Sequence, residues 1–334
     1  MNTDNWMERV SIEESVNTLS IQEIEQKKEQ LREMVQEIAK ASKSENTKKA
    51  YRSDWNRYTT WCNQMQCIHL PATDDTLSMY FADMMMVGYK TSTIIRALST
   101  IQEAHRKAGH PFNATPILDS VVQGMKRLNG VKQKGKEPVK ADLLIKLIDQ
   151  IPVDDDLLHV RDRFLLLFGW SSSMRRSELV NLNVEDIQEE KTGLVVHLQK
   201  SKTDQESAGR WIGIPFGDHP TTCPVLAYQK WIERSGICEG AVFRAVNRHR
   251  QVRARRMNAE SINTILKKHI SAAGLKEEDF GAHSLRAGYV TTAREMNVPD
   301  HVIQGQTGHT STVMLDRYTR NKPFSKNNSP KLGL

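Results

Sequence analysis

The sequence has 334 residues, of which 26% are charged and 38% are hydrophobic, a balance that is typical of a folded globular protein and excludes a disordered chain. Its formal net charge of +7 permits a nucleic-acid partner without proving one. The longest apolar run, residues 164–170, is too short to span a bilayer, nothing resembles a signal peptide, and the four cysteines lack zinc-ligand spacing. We therefore expect a cytoplasmic protein with no membrane partner.

Residues 1–19 are polar and irregular, and we interpret them as a flexible arm. Ser20, followed three residues later by Glu23, forms a capping-box pattern that predicts the start of a helix. Apolar residues then recur on one face at spacings of three, four and seven, namely Ile21, Ile24, Leu31, Val35 and Ile38. This stripe packs either on its own domain or against a neighbouring protomer, and the sequence leaves both interpretations open.

Helical patterns continue to about residue 130, and no strand-like alternation interrupts them. A second helix is predicted to begin at Asn46 or Thr47, and two further helices to end at Gly88 and Gly109. We therefore predict an all-helical domain over residues 20–130. The next segment, NGVKQKGKEPVK, is rich in Lys and Gly, which predicts a flexible basic linker over residues 131–140 that could cross a phosphate backbone.

Residues 141–334 have a mixed pattern that predicts a second domain, mainly helical with a small antiparallel sheet. The segments GLVVHLQK and GRWIGIP are typical of two strands of a hairpin, with Lys202 near its turn. Helices are predicted on both sides of the hairpin. The run of Asp at 154–156 indicates a helix start rather than a magnesium site.

Five short motifs in this second domain carry residues suited to phosphodiester chemistry. They are MRRSEL with Arg175, QKSKTD with Lys202, HSLR with His283 and Arg286, TGHTS with His309, and DRYTR with Tyr318. Their order and spacing resemble those of the tyrosine recombinase (phage integrase) family. The sequence has neither a metal-ligand motif nor a glycine-rich phosphate loop, so we predict a reaction without metal, ATP or another cofactor.

The resemblance implies that Arg175 and Arg286 bind the scissile phosphate, for which the planar, permanently charged guanidinium is well suited. Arg176 is the rival of Arg175 but falls at the variable position of the motif. Glu178 lies one helical turn after Arg175 and is expected to hold that guanidinium in place.

The resemblance also implies the proton transfers. A lysine on the predicted hairpin acts as the general acid that protonates the leaving 5′ oxygen, and the sequence favours Lys202 over Lys200 for this role. His283 assists proton transfer from the nucleophile. His309 donates a hydrogen bond to the phosphate.

Tyr318 is the nucleophile that this resemblance implies, forming a 3′-phosphotyrosine and a free 5′ hydroxyl, so that religation needs no ATP. Tyr289 is its rival, but it falls where an apolar core residue is expected. Two other functions stay open at this point. One is a type IB topoisomerase-like nicking-closing enzyme, and the other is a catalytically inert, sequence-specific DNA-binding protein.

Basic clusters outside the catalytic motifs predict DNA contacts. Six arginines fall between residues 244 and 256 without an intervening acid, and a predicted recognition helix follows them. Asn258, Glu260 and Asn263 on that helix are expected to face base edges. The other predicted DNA-contact residues are Thr47, Lys48, Lys49, Thr93, Arg96, Arg106 and Lys107 in the first domain and Arg244, Arg248 and Arg250 in the second.

The segments SENTKKAYRSDWNRYTTWC, KTSTII and AHRKAG in the first domain resemble the core-binding (SAM-like) domain of Cre-like recombinases. This resemblance implies a C-shaped clamp around double-stranded DNA that carries an inverted-repeat recombination site. It also implies a homotetramer that synapses two sites, a Holliday junction intermediate and a nucleoid-associated location on DNA. Sixteen residues follow Tyr318, where Cre-like proteins normally end in a docking helix, so the mode of subunit docking stays open.

Overall fold

The computed structural model describes residues 20–112, 115–129, 135–198 and 209–316, and the chain divides between Gln133 and Lys134 into two compact units. Within the described ranges helices dominate both units, and strands occur in the second. The predicted fold class, mainly α with a small antiparallel sheet, is confirmed. The predicted arm over residues 1–19 lies outside the described residues.

The described part of the first unit consists of helices. They are α1 (Ile21–Ala41), α2 (Glu45–Gln64), α3 (Asp74–Met86), α4 (Thr91–Lys107) and α5 (Pro116–Asn129). Ser20 and Glu23 form the predicted capping box of α1. Ser44 caps α2 by accepting a hydrogen bond from the Thr47 backbone N–H at 3.3 Å, so this helix begins slightly before the predicted position.

Aromatic side chains of α2 and α3 form the centre of the first unit, where Tyr58, Tyr80 and Phe81 are buried with their rings in contact. The buried Asp54 carboxylate accepts from Arg96 at 2.6 Å and lies 3.1 Å from Arg57. The α1 helix adds nothing to this core, because every side chain from residue 20 to residue 39 is exposed. Among the described residues, the apolar stripe of α1 therefore does not pack on its own domain.

The second unit contains the described sheet structure. Its helices are α6 (Ala141–Asp149), α7 (Leu157–Ser171), α8 (Arg176–Asn181), α9 (Pro224–Ser235), α10 (Ala259–Ala272), α11 (His283–Glu295), α12 (Asp300–Thr307) and α13 (Thr312–Asp316). Its strands are β1 (Ile187–Glu190), β2 (Gly193–Leu198), β3 (Arg210–Pro215), β4 (Arg244–Val246) and β5 (Val252–Arg256). Strands β1, β2 and β3 form an antiparallel sheet in that order, and β4 and β5 form a separate antiparallel ribbon. The predicted hairpin is therefore confirmed, whereas β1 and the ribbon were not predicted.

The α7 helix lies at the centre of this unit and is buried over most of its length. Asp156 caps it by accepting from the Leu158 backbone N–H at 2.8 Å, which confirms a helix start at the aspartate run. Phe164 stacks on Phe243 with ring centroids 4.8 Å apart, which ties α7 to the segment before β4. A smaller cluster around Leu315 packs α13 against α11 and α12.

The predicted linker over residues 131–140 is not flexible along its described part, residues 135–140. The Glu137 and Val139 backbone N–H groups donate to the Asp279 and Ser284 carbonyls at 2.7 and 2.9 Å, and Val139 is fully buried. Gly288 on α11 makes this approach possible, because a Cβ atom at that position would overlap the Val139 carbonyl. The expectation of a fully flexible joint is therefore wrong for these residues, which are fixed by hydrogen bonds to the second unit.

Candidate active site

The first half of the site forms at the start of α8, where Arg175 precedes the helix and Glu178 lies in its first turn. The Glu178 carboxylate accepts from the Arg175 backbone N–H at 2.9 Å and from its guanidinium NH1 at 2.6 Å. This is the contact that the sequence spacing predicts. Arg176, the rival, instead forms an exposed ion pair with Glu260 at 2.6 Å. Arg175 is therefore the arginine that the fold turns inward.

The second half comes from α11, whose Arg286 side chain is almost completely buried. Its NH1 donates to the Ser173 carbonyl at 2.7 Å, and its NH2 lies 2.9 Å from His309 Nε2. Ser173 adopts the left-handed region with φ of 52°, which is unfavourable for a residue with a side chain. The bond from Arg286 therefore helps to hold a strained turn that leads directly into Arg175.

His309 lies in the turn between α12 and α13 and is held at both ring nitrogens. A guanidinium can only donate, so Nε2 accepts from Arg286, and Nδ1–H donates to Thr307 Oγ1 at 2.8 Å. Burial, together with the charges of Arg286 and Arg175, lowers the pKa of His309 to about 3. The ring is therefore neutral. Its Nε2 accepts a hydrogen bond in this structure, whereas the predicted role requires the ring to donate one to the phosphate. Donation to a phosphate would require this hydrogen bond to be exchanged.

His283 is the first residue of α11 and is exposed to solvent. The protein atoms around its ring lower its pKa, and the charges of Arg286 and Arg175 lower it further. The charges of both guanidiniums therefore act on the His283 ring. Its role in proton transfer stays a prediction.

Two predicted catalytic residues lie outside the described residues. Lys202 belongs to the segment between β2 and β3, as does its rival Lys200, and Tyr318 follows the last residue of α13 by two positions. The rival tyrosine, Tyr289, packs its ring edge-on against Trp170 at 5.5 Å, and burial raises its pKa. Tyr289 is therefore a packing residue, as its position in the sequence indicated.

Arg210, the first residue of β3, is a site residue that the sequence analysis missed. Its NH2 donates to Glu178 Oε2 at 3.0 Å, so Glu178 is shared by two guanidiniums. Its charge also contributes to the lowered pKa of His309. An arginine at the start of the second strand of the predicted hairpin, after the motif with Lys202, was the available signal, but no motif marks it.

The predicted DNA-contact residues of the first unit all lie at its surface, and most have a partner within the unit. Arg96 binds the buried Asp54 through two nitrogens, Lys48 pairs with Glu45 at 2.7 Å, and the Thr47 hydroxyl lies 2.9 Å from that of Ser44. Arg106 and Lys107 pair with Glu103 at 2.6 and 3.6 Å. Lys49 is exposed, and Thr93 is half-buried.

The arginine run of the second unit separates into structural and exposed side chains. Arg244 donates to the Ala241 and Glu239 carbonyls, and Arg256 donates to those of Val180 and Leu182. Arg250 pairs with Asp156 at 2.6 Å, and Arg248 donates to the neighbouring His249 ring. Arg253 and Arg255 are exposed on β5 and have no partner among the described residues. Arg253 and Arg255 are thus the two most available of the six arginines that the sequence predicts to contact phosphates.

The predicted base-contacting residues lie at the start of α10. Asn258 is the N-cap of this helix and accepts from the Glu260 backbone N–H at 3.0 Å. The Asn263 side chain lies 3.3 Å from Glu260 and accepts from the Ala282 N–H at 3.1 Å. They form one connected surface, but each is engaged within the unit.

Within the described ranges, no group of three or more His, Cys, Asp or Glu residues could hold a metal ion. The predicted metal independence of the reaction is not tested by this finding. In the same part of the chain, no helix has the length and apolar character needed to cross a membrane.

The sequence profile described as the phage integrase family matches residues 139–323 of this chain. An integrase/recombinase xerD homolog from Selenomonas ruminantium is 33% identical over 292 residues, covering 86% of this chain and 85% of that protein. A tyrosine recombinase XerC from Syntrophus aciditrophicus is 27% identical over 302 residues, covering 83% of this chain and 87% of that protein.

Solved structures show the same fold at low sequence identity. The integrase of transposon Tn1549, in complex with transposon right-end DNA, superposes with a TM-score of 0.60 at 15% identity, covering 85% of this chain and 92% of that chain. A lambda integrase dimer bound to a COC′ core site gives a TM-score of 0.60 at 17% identity, covering 90% of this chain and 98% of that chain. The match favours a recombinase over the topoisomerase-like and inert alternatives.

Proposed function

The chain belongs to the phage integrase family of site-specific tyrosine recombinases, and we propose that its strand cleavage runs through Tyr318 at the centre formed by Arg175 and Arg286. The observation that carries this proposal is that both guanidiniums act on the same two histidines. Desolvation by the surrounding protein atoms and the charges of Arg286 and Arg175 lower the pKa of His283 and of His309. Positive charge gathered from separate parts of the chain at one point is what a phosphodiester transition state needs.

The proposed reaction is an attack of the Tyr318 hydroxyl oxygen on the scissile phosphorus. A bond forms between them as the bond from phosphorus to the 5′ oxygen breaks. His283 takes the tyrosine proton, and Lys202 gives a proton to the departing 5′ oxygen. The products are a 3′-phosphotyrosine and a 5′ hydroxyl, and attack by a 5′ hydroxyl of the other duplex reverses the step and exchanges strands.

The guanidiniums of Arg175 and Arg286 bind the non-bridging oxygens of this phosphate and stabilise the charge that they gain. Glu178 fixes the first of them through its two contacts with Arg175. Loss of one preorganised donor to such an oxyanion typically costs ~3–4 kcal/mol of activation free energy, so a variant of either arginine should cleave roughly 100- to 1000-fold more slowly.

The partner in this proposal is double-stranded DNA with an inverted-repeat site, and both units contact it. The DNA in the structures of the Tn1549 and lambda integrases supports a duplex partner. Four protomers synapse two sites and resolve a Holliday junction, as in integration, excision or resolution of a mobile element. The protein acts in the cytoplasm, on the nucleoid when DNA is bound, and without metal or ATP.

A suicide substrate tests the function directly. A nicked duplex that carries the candidate inverted repeats of the element is incubated without magnesium with the wild-type protein, with Tyr318→Phe or with Tyr289→Phe. We expect a covalent protein–DNA band on a denaturing gel from the wild type and from Tyr289→Phe, and none from Tyr318→Phe. Shifted DNA without an adduct from the wild type would contradict the catalytic assignment.

A further inference from the structure

Arg210 is half-buried beside the candidate active site, and two of its nitrogen atoms have no hydrogen-bond partner among the described residues. Its side chain is 13% exposed, and NH2 is bonded to Glu178. Nε and NH1 are buried without a hydrogen-bond partner among the described residues. Buried unpaired N–H groups are unfavourable and rare, so folding stability alone does not account for this arginine.

The guanidinium of Arg210 also packs beneath the turn that carries His309. A Cβ atom at Gly308 would overlap Arg210 NH1 and would lie 2.9 Å from its Cζ. Gly308 also has a φ of 67°, in the left-handed region that favours glycine. The turn between α12 and α13 therefore has room for the Arg210 guanidinium because residue 308 is glycine.

We propose that Arg210 is a positioning residue that joins three parts of the active site. It holds Glu178 and through it Arg175, it supports the turn of His309, and it begins the strand that follows the segment with Lys202. A shift of β3 is thereby transmitted to both the phosphate-binding arginine and the histidine. This inference rests on the proposed function, since its readout is strand cleavage.

The test measures single-turnover cleavage of the suicide substrate and, separately, DNA affinity by gel shift. Arg210→Met should slow adduct formation roughly 100-fold while DNA affinity changes by less than about threefold, because a loss of alignment acts on the transition state. Arg210→Lys, which keeps the charge but not the fork, should fall between the two. The matched control is Arg234→Met, an exposed arginine that pairs with Asp155 and should cleave as the wild type does.

Gly308→Ala disturbs the same contact by placing a methyl group against the Arg210 guanidinium, and it should also slow cleavage. If both act on one contact, the double variant with Arg210→Met should be no slower than the slower single variant, rather than the product of both effects.

A merely structural Arg210 gives a different result. Arg210→Met would then lower the unfolding midpoint, and its folded fraction would cleave at the wild-type rate. Wild-type cleavage by a folded Arg210→Met protein, or a loss of DNA affinity equal to the loss of cleavage, would overturn the proposal. If the wild type itself forms no adduct, the proposed function fails instead.

The α1 helix carries a second, independent observation. Its apolar residues are strongly exposed, with Ile21 at 83% and Val35 and Ile38 at 63% each. They follow a heptad pattern over the whole helix. Positions 21, 28 and 35 alternate with 24, 31 and 38, and Lys28 is the one polar residue in this seam.

Charge decides how two copies of such a helix can pair. In a parallel pair Lys28 faces Lys28, and Lys27 lies beside Arg32 of the other copy, so both contacts repel. In an antiparallel pair Lys28 faces Leu31, and Glu25 lies beside Arg32 on both sides of the centre of the seam. We infer that α1 pairs antiparallel with α1 of a second copy of this chain.

Sedimentation of the full chain without DNA tests this inference. The dimer should dissociate when Leu31→Glu places charge in the seam, with a dissociation constant at least about 100-fold higher. Gln26→Glu on the opposite face is the control and should leave the dimer intact. Arg32→Glu should weaken an antiparallel dimer, and adding Glu25→Arg should restore it.

The opposite response identifies the other orientation. In a parallel dimer Arg32→Glu would lie beside Lys27 and would strengthen the association, which would overturn the antiparallel arrangement. A wild-type chain that stays monomeric at about 10⁻⁴ M, or a dimer unaffected by Leu31→Glu, would overturn self-association through α1.

Discussion

Replacing Glu178 with Gln removes the carboxylate that two guanidiniums share. Glu178 is buried, with 4% of its side chain exposed, and it lies 2.6 Å from Arg175 and 3.0 Å from Arg210. Glutamine keeps the shape and one acceptor oxygen but leaves two positive charges without their counter-charge. Breaking a buried ion pair by removing one partner costs roughly 3–5 kcal/mol, and the retained oxygen places this substitution near the lower end.

The expected effect on the second unit is therefore a loss of about 3 kcal/mol in the free energy of unfolding. In a unit of this size each kcal/mol lowers the unfolding midpoint by about 2–4 °C, so the midpoint should fall by roughly 6–12 °C. Calorimetry at pH 7 measures it. The control is Asp155→Asn, whose side chain is 61% exposed and pairs with Lys230, and which should cost about 1 kcal/mol or less. If Glu178→Gln lowered the midpoint no more than this control, the shared carboxylate would not be a structural element of the site.

Three further predictions concern stability and DNA binding. Gly288→Ala places a methyl group against the linker carbonyl beneath it and should cost about 1–3 kcal/mol in thermal unfolding, whereas Gly305→Ala, where space is open, should cost nothing. Because the pKa of His309 is lowered to about 3 in the folded protein, this imidazole is protonated at a higher pH in the unfolded chain than in the folded one. Its contribution to stability is full above pH ~6.5 and should decline by at most about 1.4 kcal/mol per pH unit towards pH ~3, a decline that His309→Gln should lack. Gln at Arg253 and Arg255 should reduce the slope of log affinity for DNA against log salt by about 2, with unfolding unchanged.

Patterns within a few residues predicted much of this fold. The capping box at Ser20 required only Glu23 three positions later, and the β2–β3 hairpin required only alternation on both sides of a polar turn. The predicted ends of α3 and α4 at Gly88 and Gly109 lie close to the observed helix ends, because both glycines adopt a positive φ just after the helix. These features depend on neighbours in the chain, so the sequence displays them directly.

Contacts between distant residues account for most of what the sequence did not reveal. The arginines between residues 244 and 256 look alike in the sequence, yet Arg256 binds the main-chain carbonyls of Val180 and Leu182, 76 and 74 residues away, which no side-chain pattern marks. Arg210 was missed because its carboxylate partner lies 32 residues away, on an element with a different motif. Charge in a sequence therefore indicates a nucleic-acid partner more reliably than it indicates which side chains contact it.

In the proposed reaction, phosphate binding and proton transfer depend on one electrostatic arrangement. Desolvation by the surrounding protein atoms lowers the pKa of His283, and the charges of Arg286 and Arg175 lower it further, so its ring is neutral near pH 7 and is able to accept a proton. A bound phosphate would offset part of their charge and raise that pKa, which strengthens His283 as a base when substrate is present. Replacing either arginine should therefore do more than weaken phosphate binding. Without one guanidinium, His283 should protonate at higher pH in the free protein, and the acidic limb of the cleavage–pH profile should move upward. A variant that cleaved slowly with an unchanged acidic limb would separate the two roles and contradict this coupling.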